Sequence, residues 1–309
     1  MSLQLIPDDI NVDFVGKRRF FVVLSTLINI AALALLLTVG LNYGVDFAGG
    51  SVAQLSFKTP TSSAAIRSAL AGLELGDVTV QDFGAARREY LVRFEQARNV
   101  GSLGTRIRQA LERVYGANGA QVLRVETVGA KVGRDLRRDG VEAVVFATIF
   151  MGIFIAWRFR RVSLSFGAGA VIALVHDVLV VTGALVLSRL QFDLTTLAAL
   201  LTVIGYSVHD TIIVSDRIRE DAAKRRREPL AEVMNRAINE TLSRTILTSG
   251  TAVAVLVVLL LLGGPILRPP AFTLLVGFIT GTYSSIYIAG PVVLFWEGRT
   301  GARALPSAA

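Results

Sequence analysis

The sequence is poor both in metal-binding residues and in charge. It contains no cysteine and only two histidines, His176 and His209, which lie in different apolar stretches. Structural zinc is usually held by four cysteine and histidine side chains, so no metal site is expected, and no cofactor motif is present. Only 18% of the residues are charged and 52% are hydrophobic. A soluble chain would carry about 25% charged residues, so the composition indicates a membrane protein.

Six apolar stretches are long enough to cross a bilayer, since a spanning helix needs about 20 mostly apolar residues. They are residues 20–39, 141–157, 162–187, 194–214, 246–262 and 271–296. We expect the first stretch to remain as a span, because it is too long for a signal peptide and no small-residue cleavage pattern follows it. The chain is thus predicted to be a polytopic α-helical membrane protein with six transmembrane helices.

Basic residues are concentrated in alternate loops. They lie before the first span, between the second and third spans, and after the fourth span. These residues are Lys17, Arg18, Arg19, Arg158, Arg160, Arg161, Arg217, Arg219, Lys224, Arg225, Arg226 and Arg227. The positive-inside rule makes these loops cytoplasmic, whereas the other short loops carry chiefly Arg189 and Arg268. Both termini are then inside, and the net charge of +8 is explained by topology and anionic lipid without any nucleic acid.

The long segment outside the membrane is predicted to be a small folded domain. The predicted parts of the chain are a cytoplasmic N-terminus with the first helix (residues 1–41), an exported domain (42–138), the other five helices (139–297) and a cytoplasmic tail (298–309). The exported part has strand patterns at residues 51–57, 78–83, 90–94 and 121–128, the second and third around a turn at Gly84, and helix patterns from Ser62 or Ser63 and at about 100–114. This order is typical of an α+β ferredoxin-like domain. The alternative prediction is an α+β domain with another strand order.

A glycine-rich motif stands where the first span enters this domain. Its characteristic residues are Gly44, Asp46, Phe47, Gly49 and Gly50. Glycine permits positive φ and close backbone approach, so the motif is interpreted as a hinge that could rotate the exported domain. The alternative is an ordinary turn in which Asp46 caps local amides.

Two histidine–aspartate pairs, His176–Asp177 and His209–Asp210, lie inside the apolar stretches. Ionisable side chains at membrane depth cost about 2.5–3.5 kcal/mol each, so they usually face a partner, a cavity or a proton path. Asp210 and Arg244 lie at matched depth near the inner interface on consecutive antiparallel helices, where they could pair. Alternatively, Arg244 could snorkel to the interface, and His176 and Asp177 could form an ordinary bond between helices.

Small residues line the last span, where Gly277, Gly281, Ser284 and Ser285 predict close helix packing. Between the fourth and fifth spans, apolar residues recur at helical spacing over residues 229–240. This spacing predicts an amphipathic helix that lies on the cytoplasmic surface.

Several motifs together resemble the bacterial SecF family over nearly the whole chain. They are the Gly44–Gly50 motif, Val132–Gly133, Ala173–Asp177, Gly205–Ser207 with Asp210–Thr211, Asp216–Glu220, Thr241–Thr245 and Gly281–Ile286. The resemblance implies a subunit of the resistance-nodulation-division superfamily, in the cell inner membrane, that is not an enzyme and uses the proton gradient to help the Sec machinery export polypeptides. The implied partners are SecD, which would complete twelve helices, the SecYEG channel with YajC, the unfolded polypeptide and the bilayer.

The resemblance also implies roles for individual residues. Asp210 and Arg244 match the proton-relay residues of the family. The position of His176 and Asp177 inside an apolar stretch, and not the resemblance, makes them further candidates for the relay. His209 departs from the family pattern, which usually has Asn before the relay aspartate, and could add a titrating group to the relay or merely replace the amide.

Three other functions agree with parts of the sequence. An intramembrane aspartyl protease needs two facing aspartates, but the sequence before Asp210 lacks the Gly-x-Gly-Asp turn of such enzymes. A proton-coupled small-molecule exporter of the same superfamily stays open, although six spans are half of the usual number. An inert assembly scaffold leaves the buried charges unexplained.

Overall fold

The architecture combines long apolar helices with one small sheet domain. The structure is a computed structural model that describes residues 11–73, 75–76, 78–82, 88–94, 102–159, 164–225 and 227–300. The helices, numbered along the chain, are α1 (Arg18–Thr38), α2 (Val45–Ala48), α3 (Ser63–Leu70), α4 (Leu103–Tyr115), α5 (Ala130–Arg158), α6 (Ser165–Ser188), α7 (Leu194–Lys224), α8 (Leu230–Leu262), α9 (Gly264–Ser284) and α10 (Gly290–Thr300). The strands are β1 (Asn42–Tyr43), β2 (Gly50–Phe57), β3 (Val78–Asp82), β4 (Glu89–Phe94), β5 (Ala120–Val128) and β6 (Gln191–Phe192).

The prediction of six membrane spans is confirmed for the described residues. The spanning segments are α1, α5, α6, α7, α8 and the continuous run from α9 through a π-helical turn (Ser285–Ala289) into α10. The second span is longer than its apolar stretch, because α5 begins at Ala130, directly after the last strand of the sheet domain ends at Val128. The sheet domain formed by β2 to β5 is called the exported domain after its predicted location. Some predicted features lie outside the described residues, namely Phe83, Gly84, Val100, Arg160, Arg161 and Arg226.

The segment 229–240 is not a separate surface helix. It forms the first turns of α8, which continues without a break to Leu262. Its apolar residues Met234, Ala237 and Ile238 are buried in a core cluster with residues of α6 and α7, and Val233 is buried as well. The segment is a helix with one apolar face, as its spacing predicts, but that face packs against protein and not against lipid head groups.

Helices α6, α7 and α9 form the centre of the bundle, while α1, α5 and α8 expose most of their apolar surface. Glycines allow α7 and α9 to approach closely. A Cβ atom added at Gly277 would lie 2.1 Å from Val203 Cγ2, and one added at Gly281 would lie 3.1 Å from Ser207 Cβ. A larger side chain at Gly277 would require Val203 to move, and one at Gly281 would require a small displacement of Ser207.

The exported domain has the ferredoxin-like topology. Its antiparallel sheet has the order β3-β4-β2-β5, so that the hairpin strand β4 is inserted between β2 and β3. Alternate residues of β2 and β4 are buried against α3 and α4. Ser62 is the N-cap residue of α3, since its Oγ accepts a hydrogen bond from the Ala65 amide.

Polar contacts hold the opposite end of the bundle together. Arg158 at the end of α5 pairs with Asp216 of α7 at 3.1 Å, and Arg217 Nε donates to Glu240 Oε2 of α8 at 2.6 Å. The segment before α1 is attached to α8 by side-chain amides, because Asn235 Oδ1 accepts from the Phe14 amide at 2.8 Å. The basic clusters of these helices therefore share the end of the bundle that is far from the exported domain.

Candidate functional site

Asp210 is a buried carboxylate at the junction of three helices. It lies on α7, is 1% exposed, and accepts hydrogen bonds from Thr282 Oγ1 of α9 at 3.0 Å and from Ser249 Oγ of α8 at 3.4 Å. The two hydroxyls are 2.7 Å apart, and Tyr206 OH donates to Ser249 Oγ at 3.1 Å. The carboxylate is thus held by hydroxyl groups alone, and each of these can donate only one hydrogen.

Arg244 does not pair with Asp210, although both residues belong to the described part of the chain. Arg244 is exposed, and no ion pair joins it to Asp210. The reason lies in the direction of the side chain and not in its depth. Helix α8 turns the face with Thr241, Thr245 and Ser249 towards the protein, and a residue next to Thr245 points about 100° away from that face.

His209, the other residue singled out beside Asp210, is exposed on α7. Neighbouring residues of a helix point in different directions, so the imidazole and the Asp210 carboxylate face different surroundings. The hydroxyl partners of Asp210 were not predicted as site residues. Their signal was the recurrence of Thr241, Thr245 and Ser249 every four residues in α8, which places hydroxyls on one helix face.

Asp177 is the centre of a second buried polar cluster. Its Oδ2 accepts from Ser207 Oγ of α7 at 2.5 Å and from Ser284 Oγ of α9 at 2.8 Å, while Oδ1 lies 2.9 Å from His176 Nδ1. His176 and Asp177 are 3% and 1% exposed. The expected polar contact between helices is therefore present, and it joins α6, α7 and α9.

The two carboxylates share one turn of α9. Thr282 binds Asp210 and Ser284 binds Asp177, while Tyr283 between them stacks on His176 with ring centroids 5.9 Å apart. The π-helical turn (Ser285–Ala289) follows directly. Such turns are frequent at functional sites. Both carboxylates therefore accept hydrogen bonds from residues that lie directly before this irregular part of the last span.

The glycine-rich motif connects the exported domain to the bundle. Gly44 precedes the short helix α2, and Asp46 Oδ2 accepts from the amide of Leu194, the first residue of α7, at 3.0 Å. The interpretation that Asp46 caps local amides is therefore wrong, since the amide is 148 residues away. Phe47 is buried and stacks on Phe192 of β6 with ring centroids 5.4 Å apart.

The glycines of this motif lie in tight contacts as well as at a turn. Gly49 and Gly50 have positive φ angles of 79° and 118°. A Cβ atom at Gly49 would lie 2.9 Å from Ala130 Cα, and one at Gly133 would lie 2.9 Å from the Gly49 nitrogen. The start of the exported domain is thus docked on α5.

Arg93 of β4 lies within electrostatic range of the same junction. Burial lowers the pKa of its guanidinium, and the carboxylates of Asp193 and Asp46 act in the opposite direction. Among the described residues, no cluster of three or more histidine, aspartate or glutamate side chains could hold a metal ion.

Comparisons with known proteins agree with the motifs. The model of the C-terminal region of the protein-export membrane proteins SecD and SecF matches residues 107–299, and the model of their GG motif matches residues 34–61. The protein translocase subunit SecF of Calditerrivibrio nitroreducens is 42% identical over 295 residues, which is 94% of this chain and 96% of the relative. SecF of Desulfurispirillum indicum is 44% identical over 295 residues, covering 93% of this chain and 92% of the relative.

Solved structures give the same relationship. The crystal structure of SecDF, a translocon-associated membrane protein from Thermus thermophilus, aligns with a TM-score of 0.81 at 36% identity over 96% of this chain. A super-membrane-facing form of SecDF aligns with a TM-score of 0.71. The chain spans 40% of the length of each of these two SecDF chains.

Proposed function

The chain belongs to the SecF family of protein-export membrane proteins, and from this membership we propose that it uses proton binding at Asp210 to assist protein translocation. It is a multi-pass membrane protein and a SecDF-type translocase subunit. We propose further that it catalyses no covalent chemistry. The work done on the exported polypeptide would come from the proton gradient.

The observation that carries this proposal is the set of groups around Asp210. An ionised carboxylate only accepts hydrogen bonds, whereas a protonated one also donates. Thr282 and Ser249 both donate to Oδ2, so a proton that binds at this oxygen would compete with both bonds, which join α7 to α9 and α8. One proton that crosses a potential of 100 mV supplies about 2.3 kcal/mol, which is comparable to the free-energy gap between two helix arrangements.

The proposed partners follow from the family and from the exposed helices. SecD would supply the six helices that complete twelve, and the exposed apolar faces of α1, α5 and α8 offer surfaces for it and for lipid. SecYEG, with YajC, and the unfolded polypeptide are the further partners proposed. The basic clusters at the end of the bundle far from the exported domain support an orientation in the cell inner membrane with both termini in the cytoplasm.

The proposed role of Arg244 gives a testable prediction. We propose that the arginine becomes the counter-charge of Asp210 in another state of the cycle, since it is exposed here and needs a rotation of α8 to reach the carboxylate. Arg244→Ala should reduce the rate of proton-dependent export about tenfold, a factor within the range that typical coupling free energies of about 1–3 kcal/mol produce. Arg244→Lys should restore little of it, because lysine lacks the planar fork.

The control for this prediction is Arg268→Ala, which removes a positive charge between α8 and the apolar part of α9 and should leave export unchanged. Export would be measured as the rate of preprotein uptake into inverted vesicles that hold a proton gradient. Full activity of Arg244→Ala would show that this side chain is only an interfacial anchor.

The function as a whole is tested by loss of the protein from cells. Export of secreted proteins should slow several-fold while tolerance to small toxic compounds stays unchanged, and the wild-type gene should restore export. The opposite pattern would identify a small-molecule exporter.

A further inference from the structure

His176 and Asp177 are a buried ionisable pair that the proposed role of Asp210 does not use. They lie at the middle of α6 and are almost fully buried. Ionisable groups at this depth are costly and are rarely kept for packing alone. The arrangement around the pair indicates a more specific role.

Asp177 is fixed from three directions. One oxygen accepts from Ser207 and Ser284, and the other lies 2.9 Å from His176 Nδ1. Hydrogen bonds from α7 and α9 thus hold the carboxylate against the imidazole. A carboxylate in this position selects the tautomer of histidine that carries its hydrogen on Nδ1.

The other ring nitrogen of His176 is free to exchange a proton. Nε2 has no hydrogen-bond partner among the residues that the structure describes. In the neutral Nδ1–H tautomer this nitrogen carries a lone pair, and a histidine changes its charge near neutral pH. An aspartate that orients a histidine so that its second nitrogen can take and release a proton is also the arrangement used in acid–base catalysis.

We propose that His176 is a second proton carrier of the membrane domain, that Asp177 is its positioning residue, and that proton uptake at His176 is coupled to Asp210 through α9. The coupling rests on the proposed function of Asp210, whereas proton uptake by His176 does not. The proton adds to the Nε2 lone pair to give an imidazolium, which remains paired with the Asp177 carboxylate.

The coupling would run through three consecutive residues of α9. Thr282 donates to Asp210 and Ser284 donates to Asp177. Tyr283 stacks on His176, and its hydroxyl contacts α1, where Ser25 Oγ is 2.7 Å away and the Phe21 carbonyl accepts at 3.2 Å. A charged imidazole beside the tyrosine ring gains a cation–π attraction, so protonation would tighten the turn of α9 that also binds Asp210.

Few other ionisable groups face this cluster. Tyr283 and Tyr287 come from the last span, Asp210 follows Ser207 by about one turn of α7, and His209 on the same helix is exposed. Residues 20–38 of α1 and 143–157 of α5 contain no ionisable side chain. Among the described residues, the ionisable side chains in direct contact with the His176 ring are Asp177 and Tyr283.

The first test observes the proton directly. The chain has only two histidines, so ¹⁵N-histidine labelling of the full chain in lipid nanodiscs gives two sets of ring signals, and His209→Asn leaves only those of His176. We expect the neutral ring to be the Nδ1–H tautomer and to become doubly protonated as the pH falls from about 9 to about 5. In Asp177→Asn the Nδ1–H preference should be lost.

Either of two results would overturn the proposal. One is a His176 ring that stays in a single protonation state over the whole range, and the other is a neutral ring in the Nε2–H tautomer. Because the unsubstituted chain already gives the signals of both histidines, poor folding of His209→Asn cannot hide the answer.

The second test measures the pH profile of export in vesicles. His176→Gln keeps a hydrogen-bond donor for Asp177 but cannot titrate near neutral pH, so it should shift the profile by about one pH unit. Ser284→Ala removes one bond to Asp177 and should lower the rate without a shift. An unchanged profile in His176→Gln would reduce the pair to a packing contact.

The two tests separate this proposal from the role of Asp210. If Asp210→Asn exports normally, the Asp210 relay and the coupling fail together, while the titration of His176 is still decided by the ¹⁵N spectra. If the spectra show no titration, only the second carrier fails.

Discussion

Asp210→Asn is expected to abolish the stimulation of export by a proton gradient while the protein still inserts and folds. Asparagine has nearly the same shape and keeps an acceptor for Thr282, whose hydroxyl is 3.0 Å from the carboxylate. It cannot bind or release a proton, so the bonds from α8 and α9 lose the signal that would rearrange them. The neutral side chain also removes an insertion cost of about 2.5–3.5 kcal/mol.

The measurement compares preprotein uptake by vesicles with and without a proton gradient. The wild-type ratio should fall to one in Asp210→Asn, at equal amounts of protein in the membrane. Asp139→Asn is the matched control, because it makes the same chemical change at an exposed position of α5. Gradient-dependent export at the wild-type level in Asp210→Asn would refute the relay.

Gly49→Ala is expected to disrupt the junction between the exported domain and α5. The residue has a φ of 79°, and an added Cβ atom would lie 2.9 Å from the backbone atom Ala130 Cα. With a ψ of 170°, Gly49 lies in a backbone region that essentially only glycine occupies, and another residue pays about 1–3 kcal/mol there. An overpacked contact costs about 1–3 kcal/mol. The substitution should therefore destabilise this docked arrangement by about 2–6 kcal/mol.

Three other glycines separate the two causes. Gly40 has a φ of 71° but open space around it, so its alanine variant tests backbone strain alone. Gly133 has the close contact without the positive φ, and Gly129 has neither. Protease accessibility of the exported domain and export rate should be most affected in Gly49→Ala and least in Gly129→Ala. Equal effects in these two variants would contradict the docked junction.

Much of the fold could be predicted because it depends on composition and period. The length of an apolar run determines whether a helix can cross the membrane, and all six runs are helices in the structure. The order of strand and helix patterns in the exported segment leads to the observed sheet order. Helix ends were less predictable. Helix α8 begins sixteen residues before its apolar run, and the apolar residues of its first turns are buried against protein.

For the candidate site, the sequence predicts how deep each residue lies along its helix but not which neighbouring helix its side chain faces. The sequence alone determined that this is a six-span membrane protein with buried carboxylates at Asp177 and Asp210, since buried charge and apolar length are visible in the order of residues. Only the tertiary structure decided which side chains meet them. The direction of a side chain around its helix depends on how neighbouring helices pack, and this packing turns Ser249 and Thr282 towards Asp210 and leaves Arg244 exposed.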